Sequence, residues 1–215
     1  MNPVPPRGDT SGRTRRTSLE QPRSRRSRAA LVDAAERLWS ERGFDAVKVS
    51  EICQEAGVSK GLFYFYFATK EDLLVDHLLA DADAAAEAAD RAIAADQPID
   101  QVLQQTLAVM VRNTGRRPRH LLARSIAEWF AALERHASLA IGHRSLHHTF
   151  ARAFAHGRAR GEIGDEHDPD ELGGLLEWTL LRAELEWAIS TSRQPALLKR
   201  LWGWAEIILR GTKVT

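Results

Sequence analysis

The stretch at residues 48–70, KVSEICQEAGVSKGLFYFYFATK, leaves the chain little structural freedom. Ile52 and Ala56 before Gly57-Val58-Ser59, and Phe63 and Phe67 after it, place apolar side chains at helical spacing. Gly57 is the residue type that enters the left-handed region without a Cβ penalty and so ends a helix. Ser59 then offers a hydroxyl to the orphan backbone N–H groups of a second helix. Five consecutive aromatics from Phe63 to Phe67 exceed what one buried face of so short a helix absorbs. Phe63 and Phe67, four apart, suit the core. That leaves Tyr64 and Tyr66, with Phe65 between them, to face a partner.

Two short helices joined this tightly form a helix-turn-helix, whose second helix enters the DNA major groove while the first crosses the backbone. Gly61 removes a side chain where backbone would approach DNA. Thr69 with Asp72 reads as a capping box opening the next helix. Lys70 in its first turn is poorly placed for the helix dipole, which a phosphate partner would explain.

Gly43-Phe44, Ile52, Ala56-Gly57-Val58-Ser59-Lys60-Gly61, Phe63-Tyr64, Tyr66-Phe67 and Lys70-Glu71-Asp72-Leu73-Leu74 hold fixed spacings. Together they closely resemble the N-terminal domain of TetR-family transcriptional regulators. Gly157-Arg158-Ala159-Arg160-Gly161-Glu162-Ile163 adds a weaker likeness further on. The resemblance implies a dimeric, ligand-responsive repressor that binds a double-stranded operator through Lys48, Ser50, Lys60, Gly61, Leu62, Tyr64, Tyr66 and Lys70. Lys60 and Leu62 would turn toward base edges, the tyrosines and Lys70 mainly toward phosphates. The family usually has Thr where Val47 and Lys48 stand, so a capping hydroxyl is missing and Lys48 would replace its phosphate contact with a point charge.

Charge distribution agrees with a polyanion partner at one end. Residues 1–70 hold 13 Lys and Arg against 8 Asp and Glu, whereas the remainder holds 17 against 21. Met1 onward is rich in Pro, Gly, Ser and Arg, and residues 1–23 read as a disordered basic arm. The single cysteine, Cys53, excludes an intramolecular disulfide framework, suits a small buried core position and fits a reducing cytosol. No run of about 18 apolar residues reads as a membrane span, and no apolar secretory signal is present. A cytoplasmic location is the expectation.

Helical patterns fill the rest and no strand pattern occurs, so the expected fold is all-α. A helix from Ser24 carries Leu31, Ala34, Ala35, Leu38 and Trp39 and completes a DNA-binding domain at 24–70. An effector-binding and dimerisation domain follows at 71–215, with helices over about 69–95, 98–113, 119–134, 138–160, 168–190 and 195–210. In the last two, Leu172, Leu175, Leu176, Thr179 and Ala183 form one stripe and Trp178, Leu181, Leu185 and Ile189 another, with a similar doubling around Leu201 and Trp202. Two stripes exceed what one intrachain core needs, so the second set should meet a second copy as a four-helix homodimer interface.

Arg124, Glu128, Trp129, Phe130, Trp178, Arg182, Glu184 and Trp187 place aromatic and ionisable groups on these helices and are the candidates for binding a small-molecule effector. Each Trp also suits a plain core, and Arg124–Glu128 and Arg182–Glu186 are ordinary pairs four apart. His143 and His147 share a chelating spacing but lack Cys or carboxylate partners, so no metal, cofactor or enzymatic chemistry is expected. The competing reading keeps the same DNA-binding head on a ligand-independent dimeric organiser or adaptor.

Overall fold

Burial in the N-terminal helix follows its apolar spacing. Leu31, Ala34, Ala35 and Trp39 lie three or four apart and are buried along one side of α1 (Ser11–Arg42). The computed structural model describes residues 11–115, 118–135, 145–190 and 197–213, and every regular element within them is a helix. They fall into two units, Met1–Ala68 and Thr69–Thr215.

α1 begins at Ser11, not at Ser24, so the stretch expected to be a disordered arm is helical from residue 11 onward. Its Arg, Gln, Glu and Leu are good helix formers. Extending a helix already anchored downstream fixes only one residue per hydrogen bond. Residues 1–10 lie outside the described residues.

In this first unit α2 (Val49–Ala56) and α3 (Lys60–Tyr66) both pack on α1. Ile52, Cys53, Phe63 and Phe67 complete the small core, with Phe63 fully buried; burying such a side chain contributes about 1.5–3 kcal/mol. Burial pushes the Cys53 thiol up from its ordinary range, which suits a core position rather than a reactive one.

The second unit opens with α4 (Lys70–Ala94). Thr69 Oγ1 accepts from the Asp72 N–H at 3.2 Å, and Asp72 Oδ2 accepts from the Thr69 N–H at 2.8 Å, the capping box read from the sequence. Buried Ala82, Ala85, Ala86, Ala89 and Ala92 give α4 a small-residue face. Against this helix pack α5 (Ile99–Thr114), α6 (Arg119–Arg135) and α7 (Leu146–Ala159). Helix α8 (Pro169–Ile189) lies against α6, α7 and α9 (Leu197–Thr212). Leu103, Leu107, Phe150, Phe154, Leu176 and Leu201 are buried at the centre.

Helices α7 and α8 approach each other closely at Gly173. A Cβ there would stand 2.6 Å from the Ala151 backbone nitrogen and 2.8 Å from the His147 carbonyl oxygen, so α7 and α8 meet backbone to backbone.

The segment that gave the weaker family likeness clamps the α4–α5 turn. Glu162 Oε2 accepts from the Ile99 N–H at 2.7 Å, supplying the cap that Pro98 lacks. Arg160 pairs with Asp96 Oδ1 at 2.6 Å and donates to the Asp96 carbonyl at 2.9 Å. Asp96 stands at φ 51, a left-handed conformation unusual for a non-glycine residue, and these bonds hold it there.

Helix α7 starts at Leu146 behind the Ser145 cap; the expected helical residues 138–144, with His143, lie outside the described residues, as does Pro195. No helix among the described residues is long and apolar enough to cross a membrane.

Candidate functional site

The joint between α2 and α3 is fixed on both sides. Gly57 stands at φ 67 and ψ 30, and Val58 N–H donates to the Cys53 carbonyl at 3.0 Å, closing α2. Ser59 Oγ accepts from the Leu62 N–H at 3.2 Å and starts α3. On α3, successive side chains point about 100° apart, which divides the aromatic run. Phe63 and Phe67 are buried, while Tyr64 is 57% and Phe65 76% exposed. Lys60 and Gly61 are exposed on the same short helix, with Leu62 half-buried.

Tyr66 behaves differently from Tyr64. It is half-buried, and its hydroxyl donates to Ser24 Oγ at 3.0 Å, tying α3 to α1. Phe65, which the sequence grouped with the two tyrosines as facing a partner, is the most exposed of the aromatics in the run.

Lys48 is exposed before α2, and its N–H donates to Glu51 Oε2 at 2.8 Å. Glu51 thereby satisfies the Lys48 N–H, the reciprocal half of a capping box, while no side chain at 48 accepts from the first turn in place of the missing hydroxyl. That N–H, together with Arg42 at 2.8 Å, holds the Glu51 carboxyl below the usual carboxylate range. Ser50 is half-buried in the first turn of α2. Lys70 is half-buried in the first turn of α4 and belongs to the second unit. The exposed face of the first unit thus offers ammonium groups, a phenol and an apolar ring, a set of groups that suits phosphates, base edges and thymine methyls.

Within the second unit, α4 to α8 surround a cavity leaving about 80 Å³ for the centres of water-sized molecules, room for several waters. Leu78, Leu79 and Ala82 of α4, Met110 of α5, Trp129 of α6, Leu146 of α7, and Leu180 and Leu181 of α8 form its apolar walls. Its polar liners are Thr114, Ser145 and three carboxylates, Asp81, Glu177 and Glu184. Glu177 is pushed above the ordinary carboxylate range by burial, an effect that His147, with Nδ1 3.9 Å away, partly offsets.

Of the residues expected to bind an effector, Trp129 and Glu184 line this cavity and the others lie elsewhere. Arg124 pairs with Glu128 at 3.9 Å along α6. Phe130 and Trp178 stack on each other, centroids 5.8 Å apart, and both are partly exposed. Arg182 pairs with Glu186 at 2.8 Å. The Trp187 ring lies under the Arg119 guanidinium at 4.2 Å. Sequence reasoning missed Asp81 and Glu177. The available signal was that Glu177 and Glu184 are seven apart and flank Leu180 and Leu181, so they share one face of α8 with apolar residues.

Trp178 and Arg182 line a second hollow, an outward groove between α8 and α9 of about 430 Å³ by the same measure, with Leu175, Thr179, Trp204 and Ile207. The division of stripes therefore differs from the expected one. Leu175, Trp178, Thr179 and Arg182 are spaced by three and four and form the outer face, whereas Leu172, Leu176, Leu180 and Ala183 face the core. Leu181 and Leu185 pack beside the cluster around Leu122 and Ile126 instead of facing outward. His147 Nε2 lies 3.0 Å from Asp170 Oδ1. Among the described residues no group of three or more His, Cys, Asp or Glu could hold a metal ion.

Comparisons with known proteins agree on the first unit and reach into the second. Residues 31–76 match the model of bacterial regulatory proteins of the tetR family. The HTH-type transcriptional regulator BetI of Rhizobium meliloti is 52% identical over 48 residues, 22% of this chain and 24% of that protein. The uncharacterised HTH-type transcriptional regulator YuxN of Bacillus subtilis is 40% identical over 48 residues, 22% of this chain and 16% of that protein. These matches span a quarter or less of the curated relatives' length. Across most of the fold, the crystal structure of Thermus thermophilus FadR, a TetR-family transcriptional repressor in complex with lauroyl-CoA, is similar with a TM-score of 0.71 and 25% identity, covering 87% of this chain and 96% of that one. The relatives are regulators, not enzymes.

Proposed function

From the premise that this chain belongs to the TetR family of bacterial regulatory proteins, we propose that it is a dimeric DNA-binding repressor, released from a palindromic operator by a small-molecule effector. The observation that carries this reading is the outward face of α3. Tyr64 and Phe65 are exposed beside Lys60 and Gly61 on a helix whose start is set by the Gly57 turn and the Ser59 cap. Two adjacent exposed aromatic rings make an apolar patch of the kind a partner covers. Lys48 and Lys60 select an anionic partner.

The groove of α8 and α9 supports the dimer. Leu175, Trp178, Trp204 and Ile207 are all more than a third exposed there, an apolar face of the kind a second copy covers. Two copies related by a two-fold axis present two α3 helices, which calls for half-sites spaced by one helical turn or multiples of it, about 34–36 Å per turn. The cavity of the second unit supports effector control over the organiser reading, because a ligand-independent adaptor has no need of a hollow core. The Thermus thermophilus FadR structure holds lauroyl-CoA, and this chain's cavity is the corresponding candidate for a ligand. Such a ligand acts by favouring one arrangement of the dimer over another.

A footprint of the purified protein on DNA from its source at physiological salt tests the reading. One or a few palindromic sites are expected. Tyr64→Ala should abolish operator binding while sedimentation still reports a dimer. Many dispersed sites would favour the organiser, and loss of the dimer in Tyr64→Ala would make that tyrosine structural.

A further inference from the structure

We infer that Phe65 reads the C5-methyl group of thymine: its ring is the part of α3 that meets the floor of the major groove, and it selects the base pair it faces by apolar contact. The inference rests on the DNA-binding reading above and assigns one residue of that surface a part in sequence preference. Phe65 is 76% exposed, the most exposed large hydrophobic side chain among the described residues.

Helix geometry puts the ring there. Phe63 is fully buried and so marks the direction of the core. Gly61 and Phe65 each lie two residues from it, about 200° round the helix, and together face away from the core. Leu62 and Tyr64, next to Phe63, stand about 100° to either side. Side chains on a helix lean toward its N-terminus, which directs Phe65 over the turn at Gly61. That turn is open: beyond its chain neighbours, a Cβ built at Gly61 would find only Ser59 Oγ, 3.9 Å away. On its other side Phe65 meets the Tyr66 ring edge to face at 5.1 Å, and the Tyr66 hydroxyl is tied to Ser24 of α1. The ring is braced in its outward position.

A phenyl ring carries no donor or acceptor, so it can neither hold a phosphate nor pair with a polar base edge. Covering such groups would strip them of water without replacing their hydrogen bonds. The one apolar group that base pairs present in the major groove is the thymine methyl. Lys60 on the same helix and Lys48 before α2 are exposed and draw the anionic backbone, while the ring supplies a contact that depends on the base. The same methyl is present on 5-methylcytosine and missing from uracil, which otherwise pairs as thymine does. A methyl reader therefore responds to both changes.

The test uses the full-length protein and the operator fragment recovered by footprinting, with each thymine replaced in turn by deoxyuridine and affinity read by fluorescence anisotropy at fixed salt. Replacement at one position should weaken binding about fourfold, the scale of one buried methyl group. Made in both half-sites, it should cost about fifteenfold. At that position a C·G pair carrying 5-methylcytosine should bind about fourfold tighter than the unmethylated pair. Phe65→Ala should abolish both differences, and Phe65→Leu, which keeps an apolar side chain, should retain part of them. Binding by the unsubstituted protein that ignores every methyl overturns the inference and leaves the repressor reading standing. So does a methyl dependence that survives Phe65→Ala, which would pass the contact to Leu62 or Tyr64. Absence of any specific DNA site overturns both.

Discussion

Helices α3 and α8 each turn aromatic rings to solvent, yet they are made differently. α3 has seven residues, one buried face and exposed lysine beside its rings. α8 has 21 residues and two apolar faces, one toward the core and cavity and one toward the outer groove. Exposure of an aromatic ring therefore does not identify its partner; the company it keeps does. On the same helix as Tyr64 is the exposed Lys60 ammonium, suited to phosphate. Beside Trp178 are Leu175, Trp204 and Ile207, suited to another apolar surface.

The contrast between buried and exposed rings on α3 is the sharpest to test. Phe63→Ala should cost about 3–5 kcal/mol in urea unfolding of the first unit, as for other fully buried aromatics. Tyr64→Ala next to it should change stability by no more than about 0.5 kcal/mol. Similar losses from both would mean that the outward face of α3 is not a free surface. On α8, Trp178→Asp should weaken self-association by about 2 kcal/mol or more, the scale of an aromatic hot spot, measured by sedimentation equilibrium. Unchanged association would separate the groove from the dimer.

Gly173→Ala drives a methyl group into the α7 backbone and should lower stability of the second unit by about 1–3 kcal/mol. Chemical denaturation followed by Trp fluorescence would detect it. Ser59→Ala should cost about 1 kcal/mol through loss of the α3 cap, with a matching decline in operator affinity by gel shift. If stability falls and affinity does not, the start of α3 is irrelevant to reading DNA.

The smallest effect is a pH dependence of opposite sign at different carboxylates. Glu51 and Asp96 have depressed folded pKa values, so their contribution is present above the unfolded carboxylate pKa and lost as pH falls through the folded values. Glu177 is raised, so the folded state holds its proton more tightly and gains stability as pH falls through the window between its unfolded and raised folded values. Glu177→Gln should remove that gain and leave the acid-side loss intact in thermal melts across pH 3–7.

The parts of this molecule that could be read from sequence are those set by neighbours in the chain. Gly57, Ser59 and the Thr69–Asp72 box act within three residues of themselves, and their geometry matches what local chemistry predicts. The cavity was less legible because its walls come from five helices. Trp178 looked as eligible as Trp129; only the rotation of α8 against α6 and α9 puts one outside and the other in. Glu177 was passed over because a carboxylate on a two-sided helix ordinarily marks its solvent face. Ser24 illustrates a third limit: its bond to the Tyr66 hydroxyl spans 42 positions, and no local rule foretells it.

The contact at Gly173 also decides how the cavity can widen. With α7 and α8 touching through their main chains, the wall holding Leu146, Glu177 and Leu180 behaves as the fixed jaw of a vise, since main chains in contact cannot repack the way side chains do. The other jaw is α4, which contributes Leu78, Leu79, Asp81 and Ala82 to the cavity. A guest larger than the resting hollow must move that jaw, and α4 is the helix that begins two residues after Ala68, where the DNA-reading unit ends.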